Sequence, residues 1–247
     1  MFQYSPPPKK HHPRPVYLVV DATYFGERTE NSSWCVLVAR DPKKQEDLVW
    51  GFADTETVLG YRKLREELEY YGYSIKSVTG DGFSGIFTAF SGIPYQMCQV
   101  HMERLVEHRT TKNPQTEAGQ VLLALAKSLH TTNSHLFYTR FTKFVEYYRD
   151  FLNEKSLHPI TGEWDWTHRP LRQAVLSIDR LKKYLFIFEH NKNILKNTNS
   201  LEGHFSHVKR FLGIHRGVPR KHAQNILHTI LLASSVSPDE EKLDQIL

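Results

Sequence analysis

Apolar positions change their spacing twice along this chain. From Val16 to Val20 they run unbroken and stop at Asp21. A run apolar on both faces predicts a central strand buried on both sides. Shorter runs at Trp34–Ala39 and Leu48–Phe52, joined by polar turns with Asn31, Ser32 and Asp41-Pro42, complete a predicted three-stranded meander. The spacing then becomes helical. Val58, Tyr61, Leu64, Leu68 and Tyr71 recur at i, i+3, i+4 intervals, and Gly72 stands where a helix would stop. Tyr73–Val78 returns to strand character. Thr79-Gly80-Asp81-Gly82 reads as a tight turn into a short helix containing Ile86, Phe87 and Phe90, and Tyr95–Val100 as a fifth strand. The predicted order β-β-β-α-β-α-β makes an α/β fold with a mixed five-stranded sheet flanked by helices.

Beyond His101 the strand signal disappears for about a hundred residues. Val121, Leu122, Leu125 and Leu129 mark one helix, and Phe137, Phe141, Phe144, Tyr148 and Phe151 a longer one. Leu171, Val175, Ile178, Leu181 and Leu185 mark a third, with Pro170 suited to its first turn. Pro159–Trp166 is expected to be a loop. Ser200–Leu212 is expected to be helical through Leu201, Phe205, Val208 and Leu212, followed by a helix at Ile226–Leu232. The Pro- and Lys-rich residues 1–15 read as a flexible arm or linker remnant.

Composition changes this picture little, and charge changes it more. A 40% hydrophobic and 24% charged composition is ordinary for a globular protein with a sizeable core. No apolar run approaches the ~20 residues of a membrane helix. The start MFQYSPPPKKHHPRP has no apolar signal-peptide core, so an intracellular, cytoplasmic or nucleoid-associated protein is expected. Cys35 and Cys98 are too few for a disulfide framework and read as reduced thiols. Lys192, Lys196, Lys209, Arg210, Arg216, Arg220 and Lys221 crowd residues 191–222 around a single acid, Glu202. That stretch is more positive than the whole chain, whose net charge is +5. A lone acid in a basic field is either a chance surface residue or a group kept for a metal.

Strand order and charge together single out three carboxylates. Asp21 ends the first predicted strand, Asp81 ends the fourth, and Glu202 begins a late helix. In a mixed sheet of this order strands one and four are neighbours, so their carboxyl ends lie side by side under a covering helix. Clustered carboxylates repel unless cations neutralise them, and hard oxygen ligands favour Mg²⁺ or Mn²⁺. Two such ions ~3.5–4 Å apart can activate an attacking oxygen and stabilise a leaving one in phosphodiester cleavage. Taken singly, each acid has an ordinary explanation: a turn former, a turn aspartate, a helix-dipole partner.

The blocks VVDATYF, VTGDGFSG, MCQVHMER and NTNSLEGHFSHVKRFLGIHRG, in that order, resemble those of insertion-sequence transposases of the Mutator-like superfamily. The resemblance covers nearly the whole chain from about Val16 to Leu232. It implies an RNase H-like core, a DDE catalytic triad of Asp21, Asp81 and Glu202 holding two Mg²⁺ or Mn²⁺ ions, and strand cleavage and transfer on DNA. Transposon ends and target DNA are the implied partners, with a homo-oligomer in the DNA complex and no membrane. The wide separation of Asp81 from Glu202 then corresponds to an all-helical insertion over residues 113–190, between core segments 16–112 and 191–247. Cys98 and His101 form the C-x-x-H placed after the fifth strand in this superfamily. A structural zinc needs four ligands. His204 or His207 would have to complete such a site, so packing and hydrogen bonding that steady Asp81 are expected instead.

Trp164 and Trp166 either cap the insertion's helical core or stack on an unpaired or flipped base. Arg104, Arg169, Arg172, Lys209, Arg210 and Arg216 are candidate phosphate contacts, which position DNA without reading its sequence. Superfamily members carry a DNA-binding region of helix-turn-helix or zinc type ahead of the first aspartate. Nothing before Asp21 resembles one, so recognition of specific transposon ends is not expected of this chain. Two alternatives remain at this point: an RNase H-like structure-specific nuclease, and a degenerate transposase remnant that only binds DNA.

Overall fold

Strand β1 (Pro15–Phe25) organises the sheet because its residues find partners on both sides. In a computed structural model describing residues 9–26, 33–157, 160, 162–214 and 218–234, it pairs antiparallel with β2 (Trp34–Asp41) and parallel with β4 (Ser74–Gly80). β3 (Glu46–Ala53) pairs antiparallel with β2, and β5 (Tyr95–Met97) closes the other edge. The order is β3-β2-β1-β4-β5, so the expected neighbourhood of strands one and four is borne out. The chain divides into two units, one made of residues 1–95 with 198–247 and the other of residues 96–197.

Alternation along the strands assigns the two faces of the sheet. Leu37 and its partner Gly51 face helix α1 (Val58–Tyr70): a Cβ on Gly60 would come within 3.1 Å of Leu37, and one on Gly51 within 3.7 Å of Leu64. Thr57 caps α1 by accepting from the Gly60 amide at 3.1 Å. The intervening residues Val36 and Val38 face the other way, with Val19 of β1. There they form a core with Leu201 and Phe205 of α8 (Asn199–Ile214) and Leu231 of α9 (Arg220–Ala233). Val208 continues α8 onto Trp34 and Leu227. α9 is also tied to β3 by Trp50, whose indole N–H donates to His228 Nδ1 at 3.2 Å. Burial holds His228 below its ordinary pKa, which keeps that nitrogen free to accept.

Several expectations require correction. β1 runs past Asp21 to Phe25, because Thr23 and Phe25 continue the ladder with β2. Asp21 therefore lies within its strand rather than at its end. β5 stops at Met97, and helix α3 (Gln99–Thr110) takes over at once. Gln99, Met102 and Val106 are its buried side, a helical spacing concealed by the apolar run before it. α3 lies within the second compact unit, residues 96–197. Of the arm, residues 9–14 are held down. Arg14 reaches Asp41 and Glu46 at 2.7 and 2.6 Å, Lys9 reaches Glu46 at 2.8 Å, and His11 stacks on Tyr71 with ring centroids 3.5 Å apart.

The second unit is not all-helical. α4 (Glu117–Lys127), α5 (Ser134–Tyr147), the short α6 (Arg149–Leu152) and α7 (Arg169–Leu181) are joined by a hairpin of β6 (Lys155–Leu157) and β7 (Trp164–Trp166). Trp164–Trp166 thus pairs as a strand within the expected loop. The long aromatic helix breaks at Tyr148, whose backbone leaves helical geometry between α5 and α6. The core is apolar: Leu122, Phe137, Phe141, Phe144, Ala174 and Ile178 are buried in it. Two buried glutamine amides tie its backbone together. Gln96 and Gln99 donate to the Leu185 carbonyl at 2.9 and 3.0 Å, and Gln96 accepts from the Phe188 amide at 3.1 Å. Among the described residues no helix is long and apolar enough to cross a membrane.

Candidate active site

The β1–β4 register sets the first two acids side by side. Val19 pairs with Thr79 in the parallel ladder, and continuing that register by two residues brings Asp21 level with Asp81. Neighbouring parallel strands stand about 4.8 Å apart. Asp21 shares its face with Val19 and with its antiparallel partner Val38, both of which pack under Leu201 of α8. Asp21 is thus a buried carboxylate on the sheet face that the Glu202 helix covers. Its Oδ1 accepts from the Ala22 amide at 2.8 Å.

The Gly80-Asp81-Gly82 turn is built for close approach. A Cβ on Gly80 would lie 2.9 Å from the Tyr95 hydroxyl and 3.0 Å from Ile86 Cδ1, so no larger residue fits unchanged. Gly82 has φ +96°, a conformation that glycine adopts without the steric cost of a side chain. Its amide donates to the Tyr95 hydroxyl at 3.0 Å, while Asp81 Oδ1 accepts from the Phe83 amide at 2.9 Å. Both contacts set the aspartate's direction.

Glu202 lies in the first turn of α8 and is half-buried. Buried Thr198, just ahead of the helix, donates its hydroxyl to Glu202 Oε1 at 3.4 Å, and its carbonyl accepts from the Glu202 amide at 3.0 Å. Carboxylates at a helix N-terminus are also favoured by the helix dipole. Among the described residues no three His, Cys, Asp or Glu side chains close into a metal-holding group. The three acids share a donor chemistry without forming a preassembled cage.

A fourth acid, Glu56, belongs to this neighbourhood and escaped the sequence reading. It precedes α1, and its carboxylate accepts a short hydrogen bond from the hydroxyl of fully buried Tyr61. Its amide donates to the hydroxyl of Tyr24 on β1 at 3.2 Å. Burial raises the Glu56 pKa, the Tyr61 hydrogen bond works against that, and the charge of Asp81 raises it further. Tyr61 titrates well above its usual range, first through burial and then through the charges of Glu56, Asp81 and Asp21. The field of several carboxylates therefore converges on one neutral phenol. No residue spacing announces Glu56; only the packing of α1 brings it here.

The remaining candidates fall on different surroundings. Cys98 is buried at the residue before α3, and His101 lies in that helix's first turn, half-buried. Cys35 is buried in β2, where burial first and the charge of Glu56 next push its thiol up to about 11. Trp166 is flanked by two cations of its own unit, with the Arg172 guanidinium 4.0 Å and the Lys155 ammonium 4.5 Å from its ring centre. Arg172 also donates to Asn153 at 2.7 Å, and Arg169 pairs with Asp165 at 3.1 Å. These contacts favour the packing role for Trp166 and give both arginines intramolecular partners. Trp164 is largely exposed. Arg104 lies on α3, while Lys209 and Arg210 are exposed on α8. Arg216 lies outside the described residues. Arg220, from the same basic stretch, pairs with Asp54 at 2.6 Å.

Compared with models of protein families and with curated protein sequences, the chain matches none.

Proposed function

We propose that this chain is the catalytic core of a DDE-type DNA transposase with an RNase H-like fold, acting through Asp21, Asp81 and Glu202. The observation that carries the reading is the Val19–Thr79 pairing, two residues before Asp21 and Asp81, on a sheet whose β1 face is covered by the Glu202 helix. A set of three carboxylates suits hard divalent cations such as Mg²⁺ or Mn²⁺. Two such ions, held by Asp21, Asp81 and Glu202, would supply Lewis-acid activation of an attacking oxygen and charge stabilisation of the leaving one. The chain's own residues then have separable tasks. Asp21 is fixed within a rigid strand by its ladder to Val38. Asp81 is aimed by the Gly82–Tyr95 and Phe83 contacts, and Glu202 is tethered by Thr198. Neutral Tyr61 holds Glu56 in place beside Asp81, so a fourth carboxylate stays ordered at the edge of the site. Exposed Lys209 and Arg210 on α8 are suited to the phosphates of bound DNA.

The test is cleavage of duplex and pre-nicked DNA by the purified chain with Mn²⁺, followed by strand transfer from a 3′-hydroxyl donor. Asp21→Asn, Asp81→Asn and Glu202→Gln are each expected to lower cleavage by about 100-fold or more while leaving the melting temperature near that of the parent. Full activity in all three variants would dismiss the triad. Hydrolysis without strand transfer would favour a structure-specific nuclease, and salt-dependent DNA binding without any Mn²⁺ site would favour a remnant that only binds.

A further inference from the structure

A buried ionic chain links the far edge of the sheet to the helix that bears Glu202. Arg40 on β2 pairs with Asp47 on β3 through Nη1 and Oδ1, and His204 on α8 brings Nε2 to 2.8 Å from Asp47 Oδ2. Asp47 is fully buried, and the side chains of Arg40 and His204 are 7% and 10% exposed. His204 Nε2 and Asp47 Oδ2 are both buried and stand 2.8 Å apart, a polar contact between α8 and β3.

The helix geometry gives this contact a consequence for Glu202. Leu201 and Phe205 lie over Val19, Val36 and Val38, and Val208 lies on Trp34, so α8 runs alongside β1. At 3.6 residues per turn, Glu202 and His204 project roughly a quarter turn to either side of that buried stripe. His204 occupies the flank toward β3, where Asp47 stands. Glu202 is therefore on the opposite flank, toward β4, which leads into Asp81. An apolar stripe alone allows a helix to roll by small angles, because dispersion contacts are weakly directional. A directional polar contact on one flank removes that freedom.

We infer that Arg40, Asp47 and His204 are positioning residues that set the roll of α8 and so the reach of Glu202 over the sheet. This rests on the proposed triad, with His204 acting through the helix and touching no reacting atom. The experiment measures Mn²⁺ binding to the purified full chain by calorimetry, alongside thermal melting, well below the melting temperature of each variant. His204→Ala and His204→Asn, which falls short of Asp47, are expected to weaken Mn²⁺ binding about 10-fold, the usual effect of losing an outer support of a metal site. His204→Gln keeps a donor with longer reach and is expected to recover most of that loss. Val208→Ala loosens the same helix without touching the ionic chain, and is expected to lower melting while leaving Mn²⁺ affinity unchanged. Parent-like Mn²⁺ binding in both His204→Ala and His204→Asn overturns the inference, as does an equal weakening by Val208→Ala. Asp21→Asn and Glu202→Gln separate the two readings. If they abolish Mn²⁺ binding while the His204 variants leave it intact, only the positioning role fails. If they too leave it intact, the triad fails and the positioning role falls with it.

Discussion

The sheet with α8 and the helical unit of residues 96–197 treat charge in opposite ways. The first unit buries Asp21, Arg40, Asp41, Glu46 and Asp47, and half-buries Glu56 and Glu202. Among the described residues, the buried side chains of the helical unit are apolar apart from Gln96 and Gln99, whose amide nitrogens are hydrogen-bonded. Its ion pairs, such as Arg169–Asp165 and Lys182–Asp179, lie at the surface. Burying a charge is costly unless it is paired, and replacing such a pair by apolar groups is often stabilising. A region that retains so many buried charges is organised for something besides stability. The helical unit is organised as an ordinary core.

The largest effects should test this contrast directly. Phe137→Ala, in the core of the helical unit, is expected to cost about 3–5 kcal/mol in denaturant unfolding. Asp47→Ala strands Arg40 and should cost a similar ~3–5 kcal/mol. The two differ in how they are repaired. The paired change Arg40→Met with Asp47→Leu should recover most of the stability lost by Asp47→Ala. If the double variant is no more stable than the single one, the network is there for stability and the contrast breaks.

A smaller effect concerns Trp166. Arg172→Ala is expected to cost about 1 kcal/mol and to change the tryptophan emission, because it removes both the cation over the ring and the bond to Asn153. Unchanged emission would return Trp166 to the candidates for base stacking.

Two pH-dependent effects sharpen the comparison within the sheet unit. The Glu56 pKa is raised in the folded state, so its contribution is favourable below its ordinary value and is lost as pH rises through the folded value. Glu56→Gln should therefore melt about 2 °C higher than the parent at pH 8 and show no advantage near pH 4. A gap independent of pH would show that its charge is not the cause. Glu46 behaves oppositely. Burial pushes its pKa up, but Lys9 and Arg14 more than offset this and hold it below its ordinary range. The stabilisation from Glu46 is present above its ordinary value and is lost as pH falls through the lowered one. Glu46→Gln should melt slightly below the parent at pH 7, with the difference closing toward pH 3.

Much of the fold and part of the site were legible before any coordinates. Apolar runs located β1 to β4, and period-3.6 spacing located the helices at α1, α4, α7 and α8, because the spacing of apolar residues records which faces an element buries. Sequence order also indicated the adjacency of strands one and four, the strands that carry Asp21 and lead into Asp81. The hairpin of Trp164–Trp166 was hidden because three residues are too few for a periodic signal. α3 was hidden by the apolar run of β5 that leads straight into it.

What the amino-acid sequence determined by itself was most of the elements and the identity of three acids on or beside them, since local spacing encodes burial one element at a time. What only the tertiary structure decided was which groups meet across elements. Glu56 joins Tyr61 and Asp81, and His204 meets Asp47 across the sheet. Those meetings depend on how helices lie and roll on the sheet. That is fixed by long-range packing, and no short stretch of chain contains it.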